Sequence, residues 1–239
     1  MLTVYPRGDE VMIYKEAYIF DMDGTLIDNM NFQYEAWRQF FSFHKGEMSF
    51  EEVKRQTAVG IPRKIVANFF DNNLKDEEIP VYLDQKEEFF QDLYRRHIEP
   101  IKGLPEFLEK IVQRNIPIAL ATGSDYRNIN FTFDKLNIGQ YFKVVVSADN
   151  IRRGKPDPES FLQAAAQLGV KPENCLVFED SLGGIEAAQR ARMQIVALTT
   201  MHSREELVNL PGVLMVIDDY TSVELNNLLR TAPKYFTHV

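Results

Sequence analysis

The sequence is nearly free of cysteine: its 239 residues include Cys175 and no other. A single cysteine excludes an internal disulfide and a cysteine-rich metal site, and it fits a reducing compartment. Long hydrophobic runs are also missing, so no membrane-spanning helix is expected. The first 20 residues lack the uninterrupted apolar core of a signal peptide. We therefore expect a cytoplasmic protein.

The chain also has fewer basic residues than acidic ones. The chain has 27 Lys and Arg residues against 35 Asp and Glu residues, a net charge of −8. A net negative surface argues against nucleic acid as a partner. It does not argue against a small phosphorylated molecule, which a few local basic residues can bind. The length suits one large domain or one domain with a smaller insert.

Six short apolar segments recur along the chain and are separated by helix-like stretches. The segments are almost continuously apolar, as expected for strands that are covered on both faces. Strands that alternate with helices predict an α/β fold with a parallel, doubly wound sheet. The predicted strands are 17–20, 116–121, 143–147, 175–179, 195–198 and 214–217, and three of the predicted helices are 104–115, 157–169 and 181–192.

A long interval without a strand signal follows the first predicted strand. It contains four helix-like segments with aromatic stripes and, at about 70 residues, is too long for a loop. We predict a separate helical subdomain with an aromatic core, to which we assign Phe32, Trp37, Phe40, Phe41, Phe89 and Phe90. The resulting domains are a core of 12–29 plus 99–239, a helical cap of 30–98, and an N-terminal extension of 1–11.

Polar residues follow four of the predicted strands. In open parallel sheets, ligands bind outside the carboxyl ends of the strands, so neighbouring strands would bring these residues to one place. They are Asp21 and Asp23, then Thr122, Gly123 and Ser124, then Lys155, and then Glu179 and Asp180.

Four carboxylates can share one place only with compensation, which a hard cation such as Mg²⁺ supplies. The lysine and the hydroxyl groups would then donate to a phosphate, one aspartate could attack phosphorus, and the other could transfer the proton. Gly24 allows a sharp turn there, and Thr25 can hold that turn through a local hydrogen bond. Each of these segments alone also fits a turn or a helix cap. All four occur in one chain, and each follows an apolar, strand-like run, which favours a catalytic site.

Taken together, these segments resemble the haloacid dehalogenase superfamily of phosphotransferases. "DMDGT" matches its nucleophile motif, and the resemblance extends from Ala17 to Leu229. The resemblance implies that Asp21 is the nucleophile and Asp23 the general acid and base. It also implies a Mg²⁺ site and a phosphoryl site. The metal site would comprise the Asp21 carboxylate, the Asp23 carbonyl and Asp180, with Glu179 as a ligand or a support, and the phosphoryl site would comprise Thr122, Gly123, Ser124 and Lys155.

Within that superfamily, "EDSLGGIEAA", "GKPDPESFLQAA" and "YEAW" resemble the β-phosphoglucomutase-like clade, which carries a helical C1-type cap. Three positions depart from the mutases: Gln33 replaces a histidine, Val59 replaces a lysine before Gly60, and Asp125 replaces a lysine after Ser124. These changes weaken the site for a second phosphate, so water becomes the expected acceptor. Arg63 keeps the clade's cap-borne anion contact, although a solvated helix charge would explain it equally simply.

The remaining polar candidates have simpler explanations. Arg127 and Asn128 are assigned to structure rather than to substrate binding. The four histidines show no ligand spacing, and we expect them at the surface: His44, His97, His202 and His238.

The sequence therefore predicts a Mg²⁺-dependent phosphatase that acts on a small phosphorylated metabolite, a sugar or polyol phosphate, through a phospho-aspartate. The alternatives are a phosphohexomutase and, in another class, a non-enzymatic binding module. We expect no nucleic-acid or membrane partner, and a monomer or a weak homo-oligomer. By resemblance, closure of the cap would exclude water and bring Arg63 towards the substrate.

Overall fold

A computed structural model describes residues 15–57 and 62–231. The predicted extension 1–11 and the pair Val59 and Gly60 lie outside the described residues. Contacts divide the chain into two compact units, one formed by Met1–Asp28 and Glu99–Val239 and the other by Asn29–Ile98. Among the described residues, no helix has both the length and the apolar character needed to cross a bilayer.

The first unit, here called the α/β unit, contains a six-stranded sheet in which every pairing is parallel. Its strands are β1 Ala17–Phe20, β2 Ile118–Ala121, β3 Val144–Val146, β4 Cys175–Glu179, β5 Gln194–Leu198 and β6 Val213–Ile217. Their order across the sheet is β3-β2-β1-β4-β5-β6. Phe20, at the end of β1, pairs with Leu120 of β2 and Phe178 of β4, so these strands end side by side. The predicted fold class is confirmed.

The second unit, here called the helical unit, consists of four helices in the described residues. They are α1 Met30–Lys45, α2 Phe50–Thr57, α3 Pro62–Phe69 and α4 Ile79–Tyr94. Aromatic side chains spaced one turn apart on α1 form much of its core. Trp37 and Phe41 stack with centroids 5.4 Å apart, and Phe41 lies 4.5 Å from Phe69.

The aromatic residues assigned to that core differ in burial. Four of them are buried, whereas Phe32 and Phe89 are half-buried. His44, expected at the surface, is half-buried: it forms a hydrogen bond with Gln85 and contacts the rings of Phe40 and Tyr82.

The helices of the α/β unit cover both faces of the sheet. They are α5 Leu104–Val112, α6 Tyr126–Leu136, α7 Glu159–Leu168, α8 Leu182–Arg190, α9 Arg204–Leu207 and α10 Val223–Thr231. Ser181 caps α8 by accepting from the Gly184 N–H, and Gly169 ends α7 in the left-handed conformation. Helices α6, α9 and α10 were not predicted from the sequence.

The sheet separates two hydrophobic clusters, because successive residues of a strand point to opposite faces. On one face Phe20 stacks on Phe178 at 4.3 Å. On the other face Ile19 and Val177 pack with the alanine-rich side of α7. Cys175 is buried in this second cluster, and burial raises the pKa of its thiol to about 12.

Candidate active site

The four polar segments predicted from the sequence meet at one edge of the sheet. β1 lies between β2 and β4, so the residues that follow these three strands are neighbours at their carboxyl ends. Asp21 follows β1, Thr122 follows β2, and Glu179 and Asp180 lie at the end of β4. Lys155 reaches the same edge from the loop after β3.

Lys155 forms ion pairs with two of these acids. Its ammonium nitrogen lies 2.5 Å from Asp21 Oδ1 and 2.8 Å from Glu179 Oε2, and all three side chains are buried or nearly so. Burial lowers the pKa of Lys155, but the carboxylates of Asp21 and Glu179 raise it by more, above its ordinary value. The lysine is therefore fully protonated at neutral pH.

Asp21, Glu179 and Asp180 form a buried acidic cluster, with one oxygen of each lying within 4.8 Å of the others. Burial raises the pKa of Asp21 to about 8, with Lys155 opposing that rise and Glu179 adding to it. Burial and the neighbouring Glu179 and Asp21 raise the pKa of Asp180 to about 9. When all three acids are ionised, their charge exceeds that of the single lysine, and a divalent cation would neutralise the excess. The donor set consists of carboxylate oxygens, which suit Mg²⁺.

Asp180 fits tightly against the turn that follows β1. Gly24 adopts φ of +74°, and a Cβ there would lie 1.8 Å from Asp180 Oδ2, so only glycine fits. The Thr200 hydroxyl donates to the Gly24 carbonyl at 2.5 Å and approaches Asp180 Oδ2 at 3.2 Å. Thr25 Oγ1 lies 3.5 Å from Asp180 Oδ1.

Glu179 is held at both of its oxygens. Oε2 accepts from Lys155, and Oε1 accepts from the Ser181 hydroxyl at 2.5 Å and the Ser181 N–H at 3.2 Å. Gly184 of α8 packs so closely that an added Cβ would lie 2.0 Å from Glu179 Oε1. These contacts fix Glu179 and, through it, Lys155.

The segment after β2 contributes hydroxyl groups. Thr122 is buried, and its Oγ1 accepts from the Ser124 N–H at 3.1 Å. The Ser124 hydroxyl donates to Asp23 Oδ2 at 2.5 Å. Gly123 between them is exposed, with open space where a side chain would point.

A family model for haloacid dehalogenase-like hydrolases matches residues 18–198, which is most of the chain. The chain belongs to this family. It is 33% identical over 184 residues to a phosphorylated carbohydrates phosphatase of Thermotoga maritima, covering 75% of this chain and 82% of that protein. It is 32% identical over 179 residues to a fructose-1-phosphate phosphatase of Escherichia coli, covering 74% and 93%. The structure of a β-phosphoglucomutase from Clostridium difficile matches with a TM-score of 0.73 and 26% identity over 90% of this chain and 97% of that one.

Two predicted determinants of specificity have local partners in this haloacid dehalogenase-like hydrolase. Arg63, on α3 of the helical unit, forms an exposed ion pair with Asp76, whose oxygen lies 3.6 Å away. Asp125, interpreted as an acid that replaces a substrate-binding lysine, caps α6 by accepting from the Asn128 N–H at 2.9 Å. Helix capping therefore accounts for an acid at this position.

The helical unit holds a buried cation that the sequence interpretation missed. Lys86 on α4 is 3% exposed and donates to Gln33 and, at 2.9 Å, to Glu87 Oε1. The rings of Trp37 and Phe90 each lie 5.3 Å from its nitrogen. Gln33, the position where the mutases carry a histidine, thus contacts a lysine.

Thr200 and Ser181 are the other residues of the site that sequence interpretation missed. Thr200 follows β5, the neighbour of β4, so the rule that placed ligands after strands includes it among other polar residues in such positions. Ser181 was read only as a helix cap, and it also holds Glu179.

Proposed function

We propose that this protein is a Mg²⁺-dependent phosphatase that hydrolyses a small sugar or polyol phosphate through a phosphorylated Asp21. The observation that carries the proposal is the buried Asp21 beside Lys155, with Glu179 and Asp180 completing an acidic cluster. The names of the relatives, which are phosphatases of phosphorylated carbohydrates, support this class of substrate.

In the first step, an oxygen of Asp21 attacks phosphorus and the bond from phosphorus to the leaving oxygen breaks. Asp23, two residues further on, donates its proton to that leaving oxygen. Lys155 and the Thr122 hydroxyl, both at the same edge as Asp21, hold the phosphoryl oxygens. The leaving alcohol then departs, and Asp21 carries the phosphoryl group.

In the second step, water attacks the phosphoryl group. Asp23, now a carboxylate, accepts a proton from that water, inorganic phosphate leaves, and Asp21 is free again. Asp23 therefore acts as an acid in one step and as a base in the next.

The carboxylates of Asp21 and Asp180 and the Asp23 backbone carbonyl would hold Mg²⁺. The ion would neutralise charge on the phosphoryl group and keep Asp21 ionised. Glu179 fits a supporting role better than direct ligation, because both of its oxygens already accept hydrogen bonds from Lys155 and Ser181.

Water is the acceptor we favour over a sugar hydroxyl, which would make the protein a phosphohexomutase. A mutase must bind a second phosphate with additional cations. Position 33 is a neutral glutamine, and position 125 is an acid engaged as a helix cap. Lys86 beside Gln33 is a cation that a mutase could use, so the test must measure both reactions.

The test is phosphate release from a panel of hexose phosphates, pentose phosphates and polyol phosphates, with a nucleotide as an unrelated class. We expect release with MgCl₂, none after EDTA treatment, and recovery when MgCl₂ is restored. Asp21→Asn should lower kcat by at least about 10³-fold, because the nucleophile is lost. Asp134→Asn, an exposed aspartate on α6, is the matched control.

The outcomes separate the candidates. Isomerised sugar phosphate without free phosphate, in the presence of a sugar bisphosphate, would establish the mutase instead. No product of either kind from folded, Mg²⁺-loaded protein would refute the proposed function. Light scattering and cell fractionation test the accompanying expectations of a monomer or weak homo-oligomer and of a cytoplasmic location.

A further inference from the structure

The Ser124 hydroxyl links the loop after β2 to the loop after β1. Ser124 was predicted to hold a phosphoryl oxygen, yet its Oγ donates to Asp23 Oδ2 at 2.5 Å. Asp23 is the residue proposed to transfer the proton. The hydrogen bond thus engages the acid and base rather than the phosphoryl site.

Ser124 is anchored on both sides of its hydroxyl. Its N–H donates to Thr122 Oγ1 at 3.1 Å, and its carbonyl accepts from the Ala148 N–H at 2.9 Å. Thr122 and Ala148 directly follow the ends of β2 and β3 or lie close to them, so the sheet fixes the backbone of Ser124. The backbone from which the Ser124 side chain extends is therefore held in place.

The backbone of Asp23 is also fixed, by a bridge to Ile27 and by the hydrogen bond from the Gly24 N–H to the Ile27 carbonyl at 2.7 Å. With the backbone held, rotation of the Asp23 side chain decides where its proton is delivered. The Ser124 hydroxyl contacts Oδ2 of this carboxyl and so restricts that rotation.

We propose that Ser124 is a positioning residue that orients the Asp23 carboxyl for proton transfer to the leaving oxygen. The proposal rests on the proposed phosphatase function and refines it. A general acid contributes about 10²–10⁴-fold to a rate, and misplacement of a reacting group by about 1 Å can cost about 10²-fold. Loss of the Ser124 hydroxyl should therefore remove a substantial part of the rate enhancement that Asp23 contributes.

The leaving group distinguishes this role from contact with the phosphoryl group. p-Nitrophenolate leaves without protonation, whereas the alkoxide of a sugar or polyol requires a proton. A residue that binds phosphoryl oxygens affects both substrates alike. A residue that positions the general acid affects the alkyl phosphate selectively.

The experiment compares wild type, Ser124→Ala, Ser124→Thr and Asp23→Asn on p-nitrophenyl phosphate and on the alkyl phosphate that wild type hydrolyses fastest in the panel. The measured quantity is kcat/KM, which reports phosphoryl transfer from substrate to Asp21 and excludes the later hydrolysis common to both substrates. Circular dichroism establishes that each variant is folded.

We expect Ser124→Ala to lose about 10–10²-fold in kcat/KM on the alkyl phosphate and less than about 3-fold on p-nitrophenyl phosphate. Asp23→Asn should show the same selectivity with a larger loss. Ser124→Thr retains a hydroxyl and should restore most of the activity.

Equal losses on the two substrates would overturn the proposal and assign Ser124 to phosphoryl binding or to structure. Unchanged activity on both would overturn it as well. Wild type that releases phosphate from neither substrate would refute the phosphatase function, and the role of Ser124 with it, which is a separate result from either of the others.

Discussion

The α/β unit and the helical unit bury charge in opposite ways. The α/β unit places Asp21, Glu179 and Asp180 around Lys155, and burial, together with this excess of acid, raises the pKa values of Asp21 and Asp180. The helical unit buries Lys86 against an acid and an amide, and surrounds it with aromatic rings. An unbalanced buried cluster indicates that a ligand completes it. A balanced one is explained by packing within its own unit.

The largest effect on the helical side of this comparison should come from its aromatic core. Phe41→Ala removes a fully buried ring in contact with Trp37 and Phe69 and should cost about 3–5 kcal/mol of unfolding free energy. Trp37 is the single tryptophan of the chain, so its fluorescence in urea reports on the helical unit alone.

Phe43→Ala is the matched control, because this neighbouring ring is 67% exposed. We expect a change within about 0.5 kcal/mol for it. Equal shifts of the two urea midpoints would contradict the burial pattern.

Lys86→Met tests whether the buried lysine is only a packing element. Methionine keeps most of the length of the lysine side chain but leaves Gln33 Oε1 and Glu87 Oε1 without this donor, at a cost of about 1–3 kcal/mol. The control is Lys75→Met, whose side chain is 78% exposed. If Lys86→Met unfolds at the wild-type urea concentration, the polar contacts contribute no net stability.

Adjacent glycines of α8 test how tightly the α/β unit holds its charges. A Cβ at Gly184 would collide with Glu179, so Gly184→Ala should displace this acid and lower kcat/KM by about 10-fold. Gly183 has open space around it, and Gly183→Ala should leave activity unchanged and add up to about 1 kcal/mol of helix stability. Similar kinetics for the two variants would show that Glu179 is not confined by the helix.

In the absence of metal, the stability of the protein should also depend on pH. Asp21 and Asp180 have pKa values of about 8 and about 9 when folded, above those of an unfolded chain. As the pH rises, the unfolded chain therefore loses these protons at a lower pH than the folded protein does. The free energy of unfolding should fall as the pH rises from about 4 to about 9. Glu35, whose pKa is lowered by its hydrogen bond from Arg38, contributes no slope above about pH 5.

Urea titrations of EDTA-treated protein at several pH values, with and without MgCl₂, measure this slope. Because Mg²⁺ competes with protons for the same carboxylates, its stabilising effect should grow with pH. Asp180→Asn should flatten the slope. A metal-free protein that gains stability towards pH 9 would show that the acidic cluster is not protonated at neutral pH.

The strands of the α/β unit were predictable because each contains a nearly continuous apolar run, and β1, β2 and β4 are buried along their whole length. All six coincide with strands of the structure to within one or two residues at their ends. The order of the strands in the sheet was not predictable, because the residues of a strand such as 195–198 do not indicate which strand lies beside it. Helix α6 was missed because "YRNINFTFDKL" mixes polar and aromatic residues, and its start is marked mainly by the Asp125 cap.

Within the candidate site, charged residues were easier to predict than neutral ones. Asp21 is a charged residue directly after a strand and Lys155 is a charged residue in the loop after β3, whereas Thr200 carries no charge and resembles any polar residue after a strand. The hydrogen bond between Gln33 and Lys86 spans 53 positions of the chain, so no local pattern could have shown it. Long-range partners of this kind appear only when helices pack.

The buried Cys175 makes the protein convenient for spectroscopic labelling. Its thiol is buried and has a raised pKa, so maleimide reagents should not react with it in the folded state. Cysteines introduced at Glu51 of the helical unit and Asp134 of the α/β unit, both exposed, would then be the sole reactive thiols. Fluorophore or spin-label pairs at these two positions would measure how the separation of the units responds to Mg²⁺ and phosphate, without first removing a native cysteine.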